Sequence, residues 1–431
     1  MTYSTNVFSG NDPLANQLAR DFVMPLACVA LLSSCVFQKL ESDLRKLDDI
    51  AHLFTGEVST DVLEFHSTLV VALQDRDATE ITSFRMISGP GVFEIRSART
   101  PTYFFAFADM NKDLKFQADE PYGWAAQAQA LAPKNGATRG IDILITADEQ
   151  LPYPKSLVDV PLENHLNNYV KTHIGTVSSL DDPLFSSRHG KKGLWEPFAF
   201  MEDGGTGIHF LEAYDPSRIP VLFVHGINGS PSDFSAIIDN IDRSRLQPWI
   251  LSYPSGLRLS WLARGMFQFV EALHRQYGFG ELHIIAHSMG GLVSRGSLNL
   301  CVQNDRCDYL RSFITLSTPW DGVASAQSGL KWAPAVVPVW NDLSPDSDFV
   351  STLFDSTLPD GLPHYLLFGF HQDNFLSSGS SDGVIRLSSQ LRDAAQEQAW
   401  KIRGYDEGHV SILRSDAVIS NVNSILRQHE P

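Results

Sequence analysis

The residues best suited to covalent chemistry stand together in His287-Ser288-Met289-Gly290-Gly291. The run before them, ELHIIA over 281–286, reads as a strand, and a helix is expected from Leu292. A serine at the apex of a sharp strand-to-helix turn has a strained backbone and an exposed hydroxyl. Strand and helix can approach only if the residues two before and two after it are small, and here they are Ala286 and Gly290. A serine hydroxyl is a poor nucleophile until a base takes its proton. The usual base is a histidine oriented by a carboxylate. Four histidines follow Ser288, namely His364, His371, His409 and His429. His364 and His371 flank an expected strand over 365–370, and His429 stands almost at the chain end, a poor place for a rigid group. His409 lies in Gly404-Tyr-Asp-Glu-Gly408-His409, a loop after an expected strand over 399–402.

Other elements must carry these residues. The apolar run IPVLFV over 219–224 has the composition of a buried strand and feeds His225-Gly226-Ile227-Asn228-Gly229. A helix capped by Ser230 is expected over 231–241, a short strand over 249–253 and a long amphipathic helix over 257–277. In this setting the chain resembles the α/β-hydrolase superfamily, specifically its lipase-like and esterase-like members. The resemblance rests on the strand followed by His225-Gly226, on His287-Ser-Met-Gly-Gly-Leu-Val-Ser-Arg295 and on Ser317-Thr-Pro-Trp-Asp-Gly322, and it covers 194–431. One departure is Ala286, where the usual pattern has glycine.

The resemblance implies an α/β fold, a mostly parallel sheet with helices on both faces. It implies the chain order serine, acid, histidine. His409 then occupies the loop where the superfamily keeps its catalytic histidine. Asp382, in Ser381-Asp-Gly-Val-Ile, is similar to the superfamily's acid-bearing segment, with Asp373 as runner-up; Asp406 is too near His409 in sequence to be chosen. Ser288, Asp382 and His409 are thus the expected catalytic residues. The backbone N–H groups of Met289 and Ile227 are the expected oxyanion donors. The implied reaction is cleavage of carboxylic esters, lipids included, through an acyl-enzyme, with no cofactor and no metal. Fold and triad alone do not separate an esterase from a thioesterase, amidase or peptidase. A surface binding protein with an inactive hydrolase domain is the reading from another class.

The rest of the chain sets context. Its 431 residues carry 50 acidic and 33 basic side chains, a net charge of −17. Such a balance argues against nucleic-acid partners, which require clustered Lys and Arg. The apolar run over 22–32 is too short to span a membrane and has the length of a signal-peptide core. It closes in Leu32-Ser33-Ser34-Cys35, which resembles a bacterial lipobox, although Asp12 and Asp21 outnumber Arg20 ahead of it. A leader is therefore expected over 1–34 and a lipid at Cys35; the other reading of the run is a buried N-terminal helix or strand. The first reading places the protein in the cell envelope, anchored to a membrane surface. Cys301 and Cys307 are left to pair or to stay free.

A helix is expected over 35–56, with Phe37, Leu40, Leu44, Leu47, Ala51 and Phe54 on one face. It reads either as a stalk or as a helix packed on its own protein. Strands over 62–73, 81–87, 92–95, 103–107 and 141–145 suggest a small β-sandwich domain over 57–150, similar to transthyretin-like modules. Within it Asp109, Asn111, Asp113 and Glu120 have the spacing of a calcium loop, but Leu114 stands where that loop needs glycine; the other reading is an acidic hairpin built on Asx turns. A connection is expected over 151–193. The apolar, Pro-rich insertion over 317–361 suggests a lid, an acyl-chain wall or ordinary cap packing.

Overall fold

The computed structural model describes residues 29–50, 52–62, 67–87, 89–97, 102–133, 137–147, 151–162, 172–371 and 379–428. Most of the expected leader, with Cys28, lies outside them, as do Asp373 and His429. Helix α1 (Val29–Ile50) leads into strands β1 (His52–Thr60), β2 (Thr68–Leu73), β3 (Ile81–Ile87), β4 (Gly91–Ser97), β5 (Tyr103–Ala108), β6 (Tyr122–Trp124) and β7 (Ala137–Ile145). These strands form two sheets, β4-β1-β7 and β3-β2-β5-β6. Phe54, Phe93 and Ile143 of the first sheet meet Val70, Ala72 and Phe104 of the second, which makes a sandwich core. The outward residues of β2 and β5, among them Leu69, Val71, Phe105 and Phe107, are also buried, in the core that continues into the rest of the chain. That double burial is why TLVVAL and YFFAFA are apolar at every position instead of alternating.

The expected stalk helix is corrected in two ways. It ends at Ile50, and β1 takes over two residues later. Phe54 fits the helical spacing but equally fits the alternation of a strand, and in β1 it points into the sandwich core. The helix is also not free-standing. Leu40 is fully buried, and Phe37 meets Trp195 edge-on at 5.6 Å. The Asp43 carboxylate accepts the N–H groups of Phe198 at 2.6 Å and Ala199 at 3.1 Å. Two orphan donors at the start of a helix are thereby satisfied by a side chain more than 150 residues away.

The acidic stretch between β5 and β6 spends its carboxylates on its own backbone. Asp109 accepts N–H groups from Asp113 and Leu114, and Glu120 accepts those of Met110 and Gln117. Leu114 itself has φ 56°, the left-handed conformation that glycine would otherwise supply. Arg306 ties this loop to the remainder of the chain, donating to the Lys112 carbonyl at 2.7 Å and to Glu271 at 3.0 Å. Arg306 sits in a loop closed by a disulfide between Cys301 and Cys307.

The larger sheet has eight strands: β8 (Thr172–Val177), β9 (Thr206–Phe210), β10 (Ile219–Val224), β11 (Leu246–Ser252), β12 (Leu282–His287), β13 (Leu310–Leu316), β14 (His364–Gly369) and β15 (Lys401–Tyr405). Their order is β15-β14-β13-β12-β10-β11-β9-β8. All neighbours from β11 to β15 run parallel, while β9 is antiparallel to β11. The sheet thus begins at Thr172, inside the segment expected to be a connection. Helices cover both faces: α2 (Ser187–Trp195), α3 (Pro197–Glu202), α4 (Leu259–Tyr277), α5 (Met289–Gln303), α6 (Ala324–Trp332), α7 (Pro338–Leu343) and α8 (Asp416–Gln428). Strand β10 shows the packing logic. Val221 and Phe223 face a core shared with Val418 and Val422 of α8, and Leu222 and Val224 face one shared with Leu292 and Val293 of α5.

Chain order reverses between β10 and β12, since the strand after β10 adds on one side and β12 on the other. Open α/β sheets bind ligands at such a switch point, beyond the carboxyl ends of the strands. The register pairs Val224 with Ala286, His287 with Leu316, Leu316 with Leu367 and Gly369 with Tyr405. These strands therefore end level with one another, and their loops emerge at a single edge.

Candidate active site

Ser288 follows directly on β12 and caps α5, with φ 53° and ψ −129°. A β-carbon in the left-handed region is strained, and the strain is held by packing on both sides. The Ser288 N–H donates to the Leu316 carbonyl at 2.8 Å. A β-carbon on Gly290 would stand 2.2 Å from the Val224 carbonyl oxygen, so helix and strand cannot close unless that residue is glycine. Ala286, the departure from the usual pattern, causes no such conflict. It lies inside β12, fully buried in the core.

Four of the expected residues come from four different loops at this edge. Ile227 follows β10, Ser288 follows β12, Asp382 lies beyond β14 and His409 beyond β15. The structure joins three of them in a line. The Asp382 carboxylate accepts from His409 Nδ1 at 2.7 Å, and His409 Nε2 lies 2.9 Å from Ser288 Oγ. With Nδ1–H committed to the carboxylate, Nε2 is the acceptor and the Ser288 hydroxyl donates. All three residues are buried. The Asp382 Oδ1 also accepts the N–H groups of Val384 at 3.0 Å and Ile385 at 2.7 Å. Burial works against the Asp382 charge, yet His409 and these backbone donors hold its pKa below the ordinary aspartate value. The His409 N–H returns a bond to the Asp382 carbonyl at 2.8 Å, which locks the two loops together.

Ile227 and Met289 both line a cavity of about 90 Å³ at Ser288. Neither backbone N–H has a hydrogen-bond partner among the described residues. Met289 is the first residue of α5, so its N–H has no partner within the helix. Gly226 leaves room for the nucleophile; a β-carbon there would stand 2.9 Å from Ser288 Cβ. Much of the remaining wall is apolar, with Pro319, Val323, Leu343, Val384 and Leu413, and Ser187, Lys191, Asn228 and Asp233 add polar groups to it. Pro319, Val323 and Leu343 belong to the insertion over 317–361, which therefore serves as part of the wall. Asp342 anchors it, accepting Leu259 N–H at 2.6 Å and Arg258 Nε at 2.8 Å.

Two supporting residues were not expected from the sequence. His287 donates from Nε2 to the His409 carbonyl at 2.7 Å and so fixes the loop that carries the base. Burial pushes the His287 pKa down to about 3, aided by His409 nearby, so the ring is neutral. Tyr253 donates its hydroxyl to the His225 carbonyl and stacks on the His225 ring at 4.1 Å, steadying the loop that carries Ile227. His287 adjoins the nucleophile and could have been suspected on that ground, whereas nothing in the sequence marks Tyr253. Of the alternatives, Asp406 pairs with His371 at 2.9 Å, away from the serine. Cys35 lies within α1.

A family model described as lecithin:cholesterol acyltransferase matches residues 257–332, which contain α4, the Ser288 turn and α6. A lysosomal phospholipase A and acyltransferase of Canis lupus familiaris is 24% identical over 271 residues, 47% of this chain. The matched part amounts to 64% of that protein's length. Among solved structures, the mature lipase BlEst2 of Bacillus licheniformis is 17% identical, with 50% of this chain and 94% of that one covered and a TM-score of 0.40. Phospholipase PlaB of Legionella pneumophila is 22% identical, with 40% and 44% covered and a TM-score of 0.33. The strand order, the strained serine between β12 and α5 and the serine, acid, histidine sequence decide the architecture. The fold is that of the α/β-hydrolases. The sandwich over β1 to β7 precedes it in the chain.

Proposed function

We propose that the protein is a serine hydrolase that cleaves acyl esters of lipids through a covalent acyl-enzyme. The observation that carries this reading is the buried line Asp382–His409–Ser288 beside two unpartnered backbone N–H groups. In the first half-reaction the Ser288 hydroxyl oxygen attacks the ester carbonyl carbon while His409 Nε2 takes its proton. The charge that develops on the carbonyl oxygen is met by the N–H groups of Ile227 and Met289; removing one such donor typically costs ~3–4 kcal/mol in the barrier. The tetrahedral adduct collapses, the alcohol leaves with the proton from His409, and the acyl group stays on Ser288. Water, deprotonated by His409, then releases the carboxylic acid.

Lipid esters are favoured by three observations. The matched relative is a phospholipase, much of the pocket wall is apolar, and Trp332 at the end of α6 stands 83% exposed. A fluorophosphonate probe should label the folded wild-type chain and not Ser288→Ala, and p-nitrophenyl esters of rising chain length should be turned over faster as the acyl chain grows. Equal labelling of the two proteins would overturn the reading.

The same proposal puts a lipid on Cys35 after removal of residues 1–34 and so holds the enzyme at a membrane of a bacterial envelope. The described contacts of α1 begin at Phe37, so that cleavage would leave them intact. A disulfide between Cys301 and Cys307 suits an oxidising compartment. Radiolabelled palmitate should enter the wild type and not Cys35→Ala; label retained by the variant refutes the anchor.

A further inference from the structure

A second cavity, of about 240 Å³, lies where β3 and β4 of the sandwich face α4 of the hydrolase. The nucleophile is not among its lining residues. Much of its wall is apolar and comes from both parts of the chain: Phe84 and Ile95 on one side, Leu257, Trp261, Leu262 and Phe269 on the other. Into this setting the chain places three guanidinium groups, Arg85, Arg96 and Arg264. Arg96 lies over the Trp261 ring, 4.4 Å from its centroid. The Nε atoms of Arg85 and Arg264 are buried and have no hydrogen-bond partner. Arg264 forms no ion pair among the described residues, and the one carboxylate on the cavity lining, Glu94, is exposed to solvent. Burial pushes the Arg264 pKa down to about 10, which still leaves it charged at neutral pH.

A buried cation without a counter-charge is costly, and proteins pair such groups or place them where a ligand does so. The placement also runs against the overall balance of the chain, which is −17. A largely apolar slot whose wall carries the half-buried guanidinium groups of Arg85 and Arg264 is complementary to one kind of molecule. We propose that this cavity binds an amphiphile with an anionic head, a carboxylate or a phosphate. The head accepts charge-assisted hydrogen bonds from Arg264 and Arg85, and the tail lies along Trp261, Leu262 and Phe269.

The test is isothermal titration of the full chain, below micellar concentrations, with dodecanoate, dodecyl phosphate, dodecanol and inorganic phosphate. Dodecanoate and dodecyl phosphate should both bind, the tighter of the two identifying the preferred head as a fatty-acid carboxylate or a phosphate ester. Dodecanol, which keeps the tail, and inorganic phosphate, which keeps the charge, should each bind at least tenfold more weakly. Arg264→Gln and, separately, Arg85→Gln should each weaken the anionic amphiphiles at least tenfold. Because Arg264→Gln removes a half-buried, desolvated charge that has no ion-pair partner among the described residues, its Tm without ligand should equal or exceed that of the wild type; if it fails to fold, Arg85→Gln carries the test alone. Dodecanol binding as tightly as dodecanoate, or dodecanoate binding the folded variants as it binds the wild type, would overturn the proposal.

Discussion

Replacing Asp382 with asparagine changes one atom and should remove most of the activity, for a reason set by the surrounding backbone. In the wild type Oδ1 is held by the N–H groups of Val384 and Ile385, and Oδ2 receives the His409 Nδ1 proton. In Asp382→Asn the amide oxygen must take the Oδ1 place, because an NH2 there would face two donors. The NH2 is then directed at His409 Nδ1, 2.7 Å away in the wild type. Nδ1 must become the acceptor, and the ring proton moves to Nε2, where it faces Ser288 Oγ instead of the lone pair that should accept from it. The base is present but in the wrong tautomer. Loss of general-base function costs ~10²–10⁴-fold, and the equivalent change in a chymotrypsin-type triad costs ~10⁴-fold. At 1.36 kcal/mol per decade, the upper figure corresponds to about 5.5 kcal/mol of barrier. The assay is kcat and KM for a p-nitrophenyl ester, with circular dichroism and Tm to show that the fold is kept. The loss should appear in kcat and leave KM near the wild-type value, because Asp382 does not line the substrate cavity. A folded Asp382→Asn protein that keeps a tenth of the wild-type kcat would refute the tautomer mechanism.

Two further outcomes concern stability. Asp43→Ala leaves the N–H groups of Phe198 and Ala199 at the head of α3 without their acceptor, and loss of a helix cap costs ~1–2 kcal/mol, read as a lower urea midpoint; an unchanged midpoint would mean α1 is not docked there in solution. Burial pushes His209 and His225 down to about 4 and His287 and His364 down to about 3. The unfolded chain protonates these rings near their ordinary value of ~6.5, so their stabilising effect is complete above that pH and is lost as pH falls toward 4. Each contributes about 1.4 kcal/mol per pH unit within that window. Urea midpoints should therefore drop steeply between pH 6.5 and 5, and a flat profile there would contradict the neutral burial of these rings.

What could be read from the sequence was whatever local pattern dictates. Ser288 was legible because a strand, a tight turn and a helix each left their own signal. The helix after it was expected from Leu292 and begins at Met289, since glycines at 290 and 291 are poor helix formers that the close approach of Val224 and Thr318 nevertheless requires. Asp382 and His409 came from the order implied by resemblance. Their meeting depends on the register of β12 to β15, which no residue type records. Strands β8 and β9 leave little trace because THIGTV and TGIHF are short and carry glycine and polar residues; β8 lies half-exposed at the sheet edge, and β9 is buried by neighbours distant in sequence. The supporting bonds of His287 and Tyr253 end on backbone carbonyls, which every residue has, so their positions carry no compositional trace.

The sheet that holds β2 and β5 is covered on one face by its partner sheet and on the other by the core that runs on into the hydrolase. A module with one buried face can be exchanged or trimmed away during evolution, and its neighbour is left with a surface that water accepts. Here Phe105 and Phe107 keep the cover of Phe116, Tyr122 and Trp124, but a cut between the two would open the wall that Phe84 and Ile95 share with Leu257, Trp261, Leu262 and Phe269 and leave α4 with an uncovered apolar flank. The sandwich and the hydrolase should therefore be expressed and engineered as a single unit. A shortened chain that starts near Thr172 to isolate the catalytic half should be judged first by whether it remains in solution.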